Sequence, residues 1–480
     1  MINLQPGSKI YFIGIGGVGM AATAGIAKSL GYEVVGSDSK EIYQPTLDIL
    51  NESEIEYTTG YNSENVMKSG AQLFVISAGE NLDNPEVRYV YDQEWEHVSF
   101  AEFLYETHKE QLRIVVAGTH GKSTTAGLLG HMIKNLEDGS FMTGAVLQNY
   151  GTNFYVGVGH YAVFEGDEYK AEFDDPTPKF HFYKPDILVL TNLEFDHPDV
   201  FENMEVLEAE FAELIDKMPE DGLIIYNADD PVLVKLVHKT NISSASFGID
   251  NEADYKAEEI IYGENTTTVN VMNRFSKNIS SHLLGLTEEY KIQIPGKINV
   301  YNSLAVVATL RALGFSHENI ALDLLSFRGV KRRFEIVGLK NNITVIDDYA
   351  HHPTAVKATL DAARLKYPKA KIWAIFEPHT FSRTKATLND LAKSFTEADE
   401  VLVSEIYAAR EKEKDATISS KEVVVAIKQE QKNIKTQIRL VSSKQNALDI
   451  LKTELRPTDV VVVMAVGNFN RLAYELRDQL

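Results

Sequence analysis

Apolar positions along the chain fall into short runs, each ending in a glycine turn or a polar cluster, which is the rhythm of repeated β-α units. Ile10–Ile15 reads as a strand, followed by a Gly-rich turn, the apolar helix pattern Met20–Leu30 and a second strand at Glu33–Gly36. The amphipathic stretch Phe100–His108 closes this region. Arg113–Ala117 then predicts a strand running straight into another glycine turn and a helix over Ser123–Ile133, with further strands at Ala162–Phe164, Ile187–Leu190 and Leu223–Tyr226. Asp254–Ile294 alternates apolar and polar residues, as antiparallel strands do. A last series places strands at Ile343–Ile346, Ile372–Phe376, Glu400–Ser404 and Val460–Met464. We expect three α/β domains, spanning 1–109, 110–325 and 326–480.

Composition narrows what such domains can do. With 44% hydrophobic and 24% charged residues over 480 positions, each domain has the apolar material for its own core. Lys and Arg number 47 against 69 Asp and Glu, a net charge of −22, which excludes a broad basic face for nucleic acid or anionic lipid and leaves small molecules as the expected partners. The absence of cysteine removes disulfides, thiolate nucleophiles and Cys-based metal sites, so any metal must be held by oxygen or imidazole. The first residues, Met1–Gly7, carry no basic leader with an apolar stretch, and no apolar run reaches the roughly 20 residues of a membrane helix. A cytoplasmic location is expected.

Three groups of residues carry chemistry. Gly14, Gly16, Gly17 and Gly19 lie between a strand and a helix, with Asp38 at the end of the next strand. Glycines let the backbone approach a diphosphate at a helix N-terminus, and an acid about 20 residues on can bind a ribose hydroxyl. Alone, this pattern fits an NAD-dependent oxidoreductase as well as any other diphosphate-bearing nucleotide. The second group, Gly118-Thr119-His120-Gly121-Lys122-Ser123-Thr124, is a phosphate cradle, with Lys122 reaching terminal phosphates and Ser123 or Thr124 reaching Mg²⁺. Its turn is shorter than the strict P-loop spacing, because Val116 stands where a glycine would be required. The third group holds potential hard-metal ligands, Glu165, Asp167 and Glu168 after one predicted strand and Glu194, Asp196 and His197 after another, at strand ends where open α/β sheets present ligands. The fold class is therefore α/β with an N-terminal Rossmann-like domain, a central P-loop-type sheet and a C-terminal Rossmann-like domain.

These segments, together with Asn227-Ala228-Asp229-Asp230, Pro295-Gly296-Lys297-Ile298-Asn299, Gly329-Val330-Lys331-Arg332-Arg333-Phe334-Glu335 and Asp348-Tyr349-Ala350-His351-His352-Pro353, occur in the order seen in the Mur ligases. The chain resembles that family over essentially its whole length. The resemblance implies an ATP-dependent amide ligase of peptidoglycan precursor synthesis, joining L-alanine to the lactyl carboxylate of UDP-N-acetylmuramate through an acyl phosphate. It implies the UDP moiety on Gly14, Gly16, Gly17 and Gly19, with Asp38 nearby. ATP falls on Gly118–Thr124, with Asn299 near the adenine and Asp348 near the ribose. Mg²⁺ is implied on Ser123, Thr124, Glu168 and His197, and charge neutralisation by Lys122, Arg332 and Arg333. Tyr349, His351, His379 and Arg383 are implied on the amine side.

Within the family two members compete. Gly166-Asp167-Glu168-Tyr169, Asn192-Leu193-Glu194-Phe195-Asp196-His197 and Gly329–Arg333 lean toward the ligase that attaches a recycled L-Ala-γ-D-Glu-diaminopimelate tripeptide to the same nucleotide sugar. Glu377-Pro378-His379-Thr380-Phe381-Ser382-Arg383-Thr384 leans toward alanine addition, and weighs more because the third domain meets the amine. Ile298 stands where the family usually has histidine, and Met464–Phe469 departs from the usual Gly-Ala-Gly ending.

Overall fold

The computed structural model describes residues 4–196, 201–263, 265–275, 285–409, 411–412, 416–431 and 436–480. Three sheets succeed one another along the chain. The first contains β1 (Lys9–Ile13), β2 (Glu33–Asp38), β3 (Glu56–Thr59), β4 (Leu73–Ile76) and β5 (His97–Ser99), all parallel in the order β3-β2-β1-β4-β5. The strand order reverses at β1, which opens a crevice at its carboxyl end. β1 stops at Ile13, short of the expected Ile15, because Gly14 leaves the strand with φ +78°.

The second sheet has ten strands: β6 (Leu112–Ala117), β7 (Ser140–Met142), β8 (Phe154–Tyr155), β9 (Tyr161–Glu165), β10 (Ile187–Leu190), β11 (Leu223–Asn227), β12 (Ser243–Gly248), β13 (Tyr255–Tyr262), β14 (Thr267–Asn273) and β15 (Thr287–Ile292). Their order is β15-β14-β13-β12-β11-β10-β6-β9-β7-β8, so β6 lies at the reversal point between β10 and β9. The alternating stretch forms β13–β15, antiparallel to one another and joined to the sheet through the parallel β12–β13 pair. The third sheet runs β16-β17-β21-β18-β19-β20, with β16 (Glu335–Lys340), β17 (Ile343–Asp348), β18 (Ile372–Phe376), β19 (Glu400–Val403), β20 (Gln437–Leu440) and β21 (Val460–Met464). Only β16 is antiparallel to its neighbour there.

Packing links these bodies unequally. Ile10, Phe12 and Met20 of the first sheet and its helix share one continuous apolar cluster with Val115, Phe164 and Leu188 of the second. The other face of the central sheet packs Ile114, Val116 and Val189 against the helices Lys122–Glu137 and Lys297–Ala312. The third sheet has a cluster on each face, one around Ile346, Leu360 and Phe376 and one around Trp373, Val461 and Leu472, built wholly from residues after Arg333. Strands buried on both faces, such as Leu73–Ile76 and Ile187–Leu190, are unbroken apolar runs for that reason. Among the described residues no helix is long and apolar enough to cross a membrane.

Candidate active site

The turn after β6 shows why its glycines are needed. Gly118 has φ +131° and Gly121 φ +83°. A Cβ on Gly118 would lie 2.3 Å from Thr191 Oγ1, and one on Gly121 would lie 2.4 Å from Asn302 Oδ1. Only glycine tolerates both the backbone conformation and the close approach. The segment after β10 then fastens the turn. Thr119 N donates to the Asn192 carbonyl (2.9 Å) and His120 N to Asn192 Oδ1 (2.8 Å), while Thr191 Oγ1 and Asn192 Nδ2 donate to the His120 carbonyl. Gly121 caps the helix Lys122–Glu137 with no side chain on its first N–H groups, which leaves them for an anion at the positive end of the helix.

Lys122 curls over this turn. Its Nζ donates to the carbonyls of Gly118 (2.6 Å) and Thr119 (3.1 Å) and meets the Glu168 carboxylate at 2.9 Å. Burial opposes its charge, but the carboxylates of Glu168, Asp167 and Glu165 outweigh burial and hold the ammonium above its ordinary pKa. Glu165, at the end of β9, accepts from Ser123 Oγ (2.7 Å) and Gly144 N (2.6 Å). Thr124 is buried in the same first helical turn. Ser123, Glu165 and Glu168 thus supply hard oxygens beside the phosphate turn, a donor set that fits Mg²⁺. Glu165 belongs with this group more closely than Asp167, which pairs with Lys179 at 2.9 Å. His197 lies outside the described residues.

A cavity of about 970 Å³ opens between the central and C-terminal domains, large enough for a nucleotide. Asp230, Tyr301 and Asn302 form part of one wall, and Thr354, Lys357 and Arg364 part of the other. Two residues expected at the nucleotide are engaged elsewhere. Asn299 does not line the cavity: its amide donates to the Pro295 carbonyl at 2.7 Å, and its Oδ1 accepts from Asn302 Nδ2 at 3.0 Å. Asn302, one helical turn further on, is the residue presented. Asp348 does not line it either, because its carboxylate accepts from Phe334 N and Ala350 N, each at 2.7 Å, and shapes the loop after β17. Asp229 anchors another wall by accepting from the backbone N–H groups of Ile249, Asp250 and Asn251 and from the Tyr301 hydroxyl.

The C-terminal candidates converge. The rings of Tyr349, His351 and His379 stand edge to face in succession, with centroids 5.4 and 5.2 Å apart, and Tyr407 extends the series at 5.9 Å from His379. Arg332 and Arg333 lie over the Tyr349 ring at 4.8 and 5.1 Å. Arg332 also donates to the carbonyls of Ala465 and Val466, which ties it to the C-terminal loop. Burial and the charge of Arg383 push the His351 imidazole well below its usual pKa, so it is neutral. Arg383 reaches back to the central domain: its Nε and Nη2 contact Asp196 Oδ1 at 3.0 and 2.9 Å, and its Nη1 lies 2.8 Å from His379 Nδ1.

The first glycine turn forms a separate site. Gly14 abuts Ser77, where a Cβ would lie 2.8 Å from Ser77 Cβ, and Gly17 precedes the helix Val18–Ser29. Gly19 packs on the Phe100 ring. Asp38 Oδ2 accepts from Gly16 N at 2.8 Å, so this acid fastens the turn itself. Sequence reasoning passed over Tyr301, Asn302, His352 and Thr354. The three-residue spacing of Asn299 and Asn302 on one helix face was the one signal available for the second asparagine.

Three family models match the chain: Mur ligase family, catalytic domain, over residues 9–111; Mur ligase middle domain over 116–310; and Mur ligase, glutamate ligase domain, over 332–467. The UDP-N-acetylmuramate–L-alanine ligase of Clostridium acetobutylicum is 37% identical across 96% of this chain and 95% of its own. That of Acetivibrio thermocellus is 34% identical across 96% and 93%. Among solved structures, the UDP-N-acetylmuramate–alanine ligase of Thermotoga maritima superposes with a TM-score of 0.79 at 25% identity, and a murein peptide ligase of Psychrobacter arcticus with 0.70 at 28%, each over 98% of both chains. With likeness running from the first glycine turn through the phosphate turn to the C-terminal ring cluster, the chain belongs to the Mur ligase family.

Proposed function

We propose that this chain catalyses the ATP-dependent joining of L-alanine to the lactyl carboxylate of UDP-N-acetylmuramate, with residues 1–109 binding the sugar nucleotide, 110–325 ATP and Mg²⁺, and 326–480 the amine. The observation that carries the reading is the phosphate turn itself, with Lys122 on Glu168 and Ser123 on Glu165 beside it, His120 lining the interdomain cavity, and Arg383 tying the C-terminal domain to Asp196 of the central one. The reaction brings two anions together. A lactyl carboxylate oxygen attacks the γ-phosphorus, the bridging P–O bond to ADP breaks, and an acyl phosphate results. The amine nitrogen then attacks the acyl carbon, inorganic phosphate leaves with its C–O bond electrons, and the amine gives up a proton.

Positioning and charge neutralisation dominate such a transfer. Gly118–Gly121 and the N-terminal N–H groups of the following helix cradle the phosphates, and Lys122 neutralises the transferred group. Ser123, Thr124, Glu168 and His197, joined by Glu165, would hold Mg²⁺, which when bound offsets the repulsion between carboxylate and triphosphate. Asn302 and Tyr301 face the base, with Asn299 holding Asn302 in place. Arg332 and Arg333 add positive charge from the C-terminal side. The amine enters along Tyr349, His351 and His379, against Arg383. Gly14, Gly16, Gly17 and Gly19 receive the UDP diphosphate, with Asp38 bracing their turn.

The test supplies the purified chain with ATP, Mg²⁺ and UDP-N-acetylmuramate and compares phosphate release with L-alanine, glycine, L-serine and the tripeptide. L-Alanine should give the highest kcat/KM. Release with the tripeptide alone would reassign the amine, and no release with any amine would overturn the reading.

A further inference from the structure

We propose that His120, Glu194 and His352 form a second divalent-cation site, of the zinc class, which staples the phosphate turn to the C-terminal domain at the mouth of the nucleotide cavity. This site is distinct from the set at Ser123, Glu165 and Glu168. One ligand atom from each of the three residues lies within 4.8 Å of the others. His120 Nε2 and Glu194 Oε2 are 3.0 Å apart. Two ligands on one tetrahedral ion with bonds of about 2.0–2.1 Å sit roughly 3.3 Å apart, so this pair already has nearly the required spacing.

The third member separates a metal site from an ordinary hydrogen bond. His352 is 5% exposed, and its Nδ1 has no hydrogen-bond partner among the described residues. Its ring stands 4.9 Å from that of His120. A simple His120–Glu194 hydrogen bond leaves this buried nitrogen unexplained, whereas an ion shared by two imidazoles and a carboxylate gives the cluster a common purpose. Thr354 Oγ1 donates to both Glu194 oxygens, at 2.9 and 3.0 Å, which orients the carboxylate as outer partners of metal ligands do.

The donor set specifies the ion. Two imidazoles and one carboxylate make a His₂-carboxylate site with an open fourth position, suited to zinc, whereas Mg²⁺ is held mostly by oxygen. His120, Glu194 and Thr354 line the cavity, so the fourth position faces the space for nucleotide phosphates or water. His120 belongs to the turn after β6 and His352 to the segment before the helix Pro353–Lys366, so one ion ties the two walls together.

The test uses the full chain, stripped with EDTA and free of nucleotide and substrate. Anomalous diffraction above and below the zinc edge, on crystals soaked in ZnCl₂ with excess Mg²⁺, should show a peak about 2.0–2.2 Å from ligand atoms of His120, Glu194 and His352. Calorimetric titration with ZnCl₂ should lose at least tenfold in affinity in His352→Gln, with the circular dichroism spectrum unchanged. A peak found only beside Ser123, Glu165 and Glu168, no peak at all, or wild-type zinc affinity in the folded variant would overturn the proposal. If His352→Gln does not fold, the anomalous map of the unaltered protein decides alone. None of these results bears on the ligase reading, which stands or falls on phosphate release with Mg²⁺ and no zinc.

Discussion

Arg383 and Asp196 offer a direct measure of how the central and C-terminal domains cooperate. The pair is buried, with side-chain exposures of 5% and 8%, and Nε and Nη2 of the guanidinium both meet Asp196 Oδ1. Removing one partner of such a pair leaves the other charge stranded, at a cost of about 3–5 kcal/mol. Because the pair joins the two domains, that cost falls on holding them together. At 1.36 kcal/mol per decade, the lower end predicts a loss of about a hundredfold in kcat/KM for the amine in Asp196→Asn or Arg383→Gln. The double variant strands neither charge, so it should be much less impaired than the sum of the singles. The assay is a double-mutant cycle on kcat/KM for L-alanine, with small-angle scattering of each variant. A coupling energy below about 0.5 kcal/mol would mean that the two residues act independently, and would refute this coupling between the domains.

Three further outcomes follow from the geometry. Lys122→Ala should abolish phosphate release while sugar-nucleotide binding, measured by calorimetry, persists; undiminished turnover would remove the phosphate cradle. Gly121→Ala should destabilise the fold by about 1–2 kcal/mol in denaturant titrations, since it forces a left-handed backbone onto alanine, and should raise KM for ATP by displacing Asn302; an unchanged KM would show that this wall does not touch the nucleotide. Burial pushes the Asp347 carboxyl from its usual 3.8 up to about 7, against the nearby Arg332. The folded chain therefore keeps a proton that the unfolded chain releases, and its stability falls by up to about 1.4 kcal/mol per pH unit as pH rises from about 4 to 7. Asp347→Asn should flatten that slope in pH-dependent thermal melts; an identical slope would place the titration elsewhere.

What the sequence disclosed depended on how local each signal was. Both glycine turns follow strands whose last four residues are buried, so run length and glycine spacing locate them. Glu165 and Glu168 stand out because acids cluster just after a buried strand. Asp38 was recognisable as an acid near the turn, but not as the acceptor of Gly16 N, since spacing does not say which group an acid meets. Asn299 and Asn302 share one face of one helix, and only the packing of Gly121 against Asn302 separates their roles. The Arg383–Asp196 pair joins two domains and leaves no periodic trace in either segment. The two-residue strand Phe154–Tyr155 and the other short edge strands are too brief for alternation to register.

The distribution of apolar clusters also bears on how this architecture diversifies. The N-terminal and central sheets share one continuous core, so severing the chain near residue 110 would expose greasy surface on both fragments. The C-terminal body keeps its two cores to itself. It is the natural unit of exchange: recombination near residue 326 would move the C-terminal body with both of its cores intact. Evolution can then replace that body without rebuilding the core that the first two domains share.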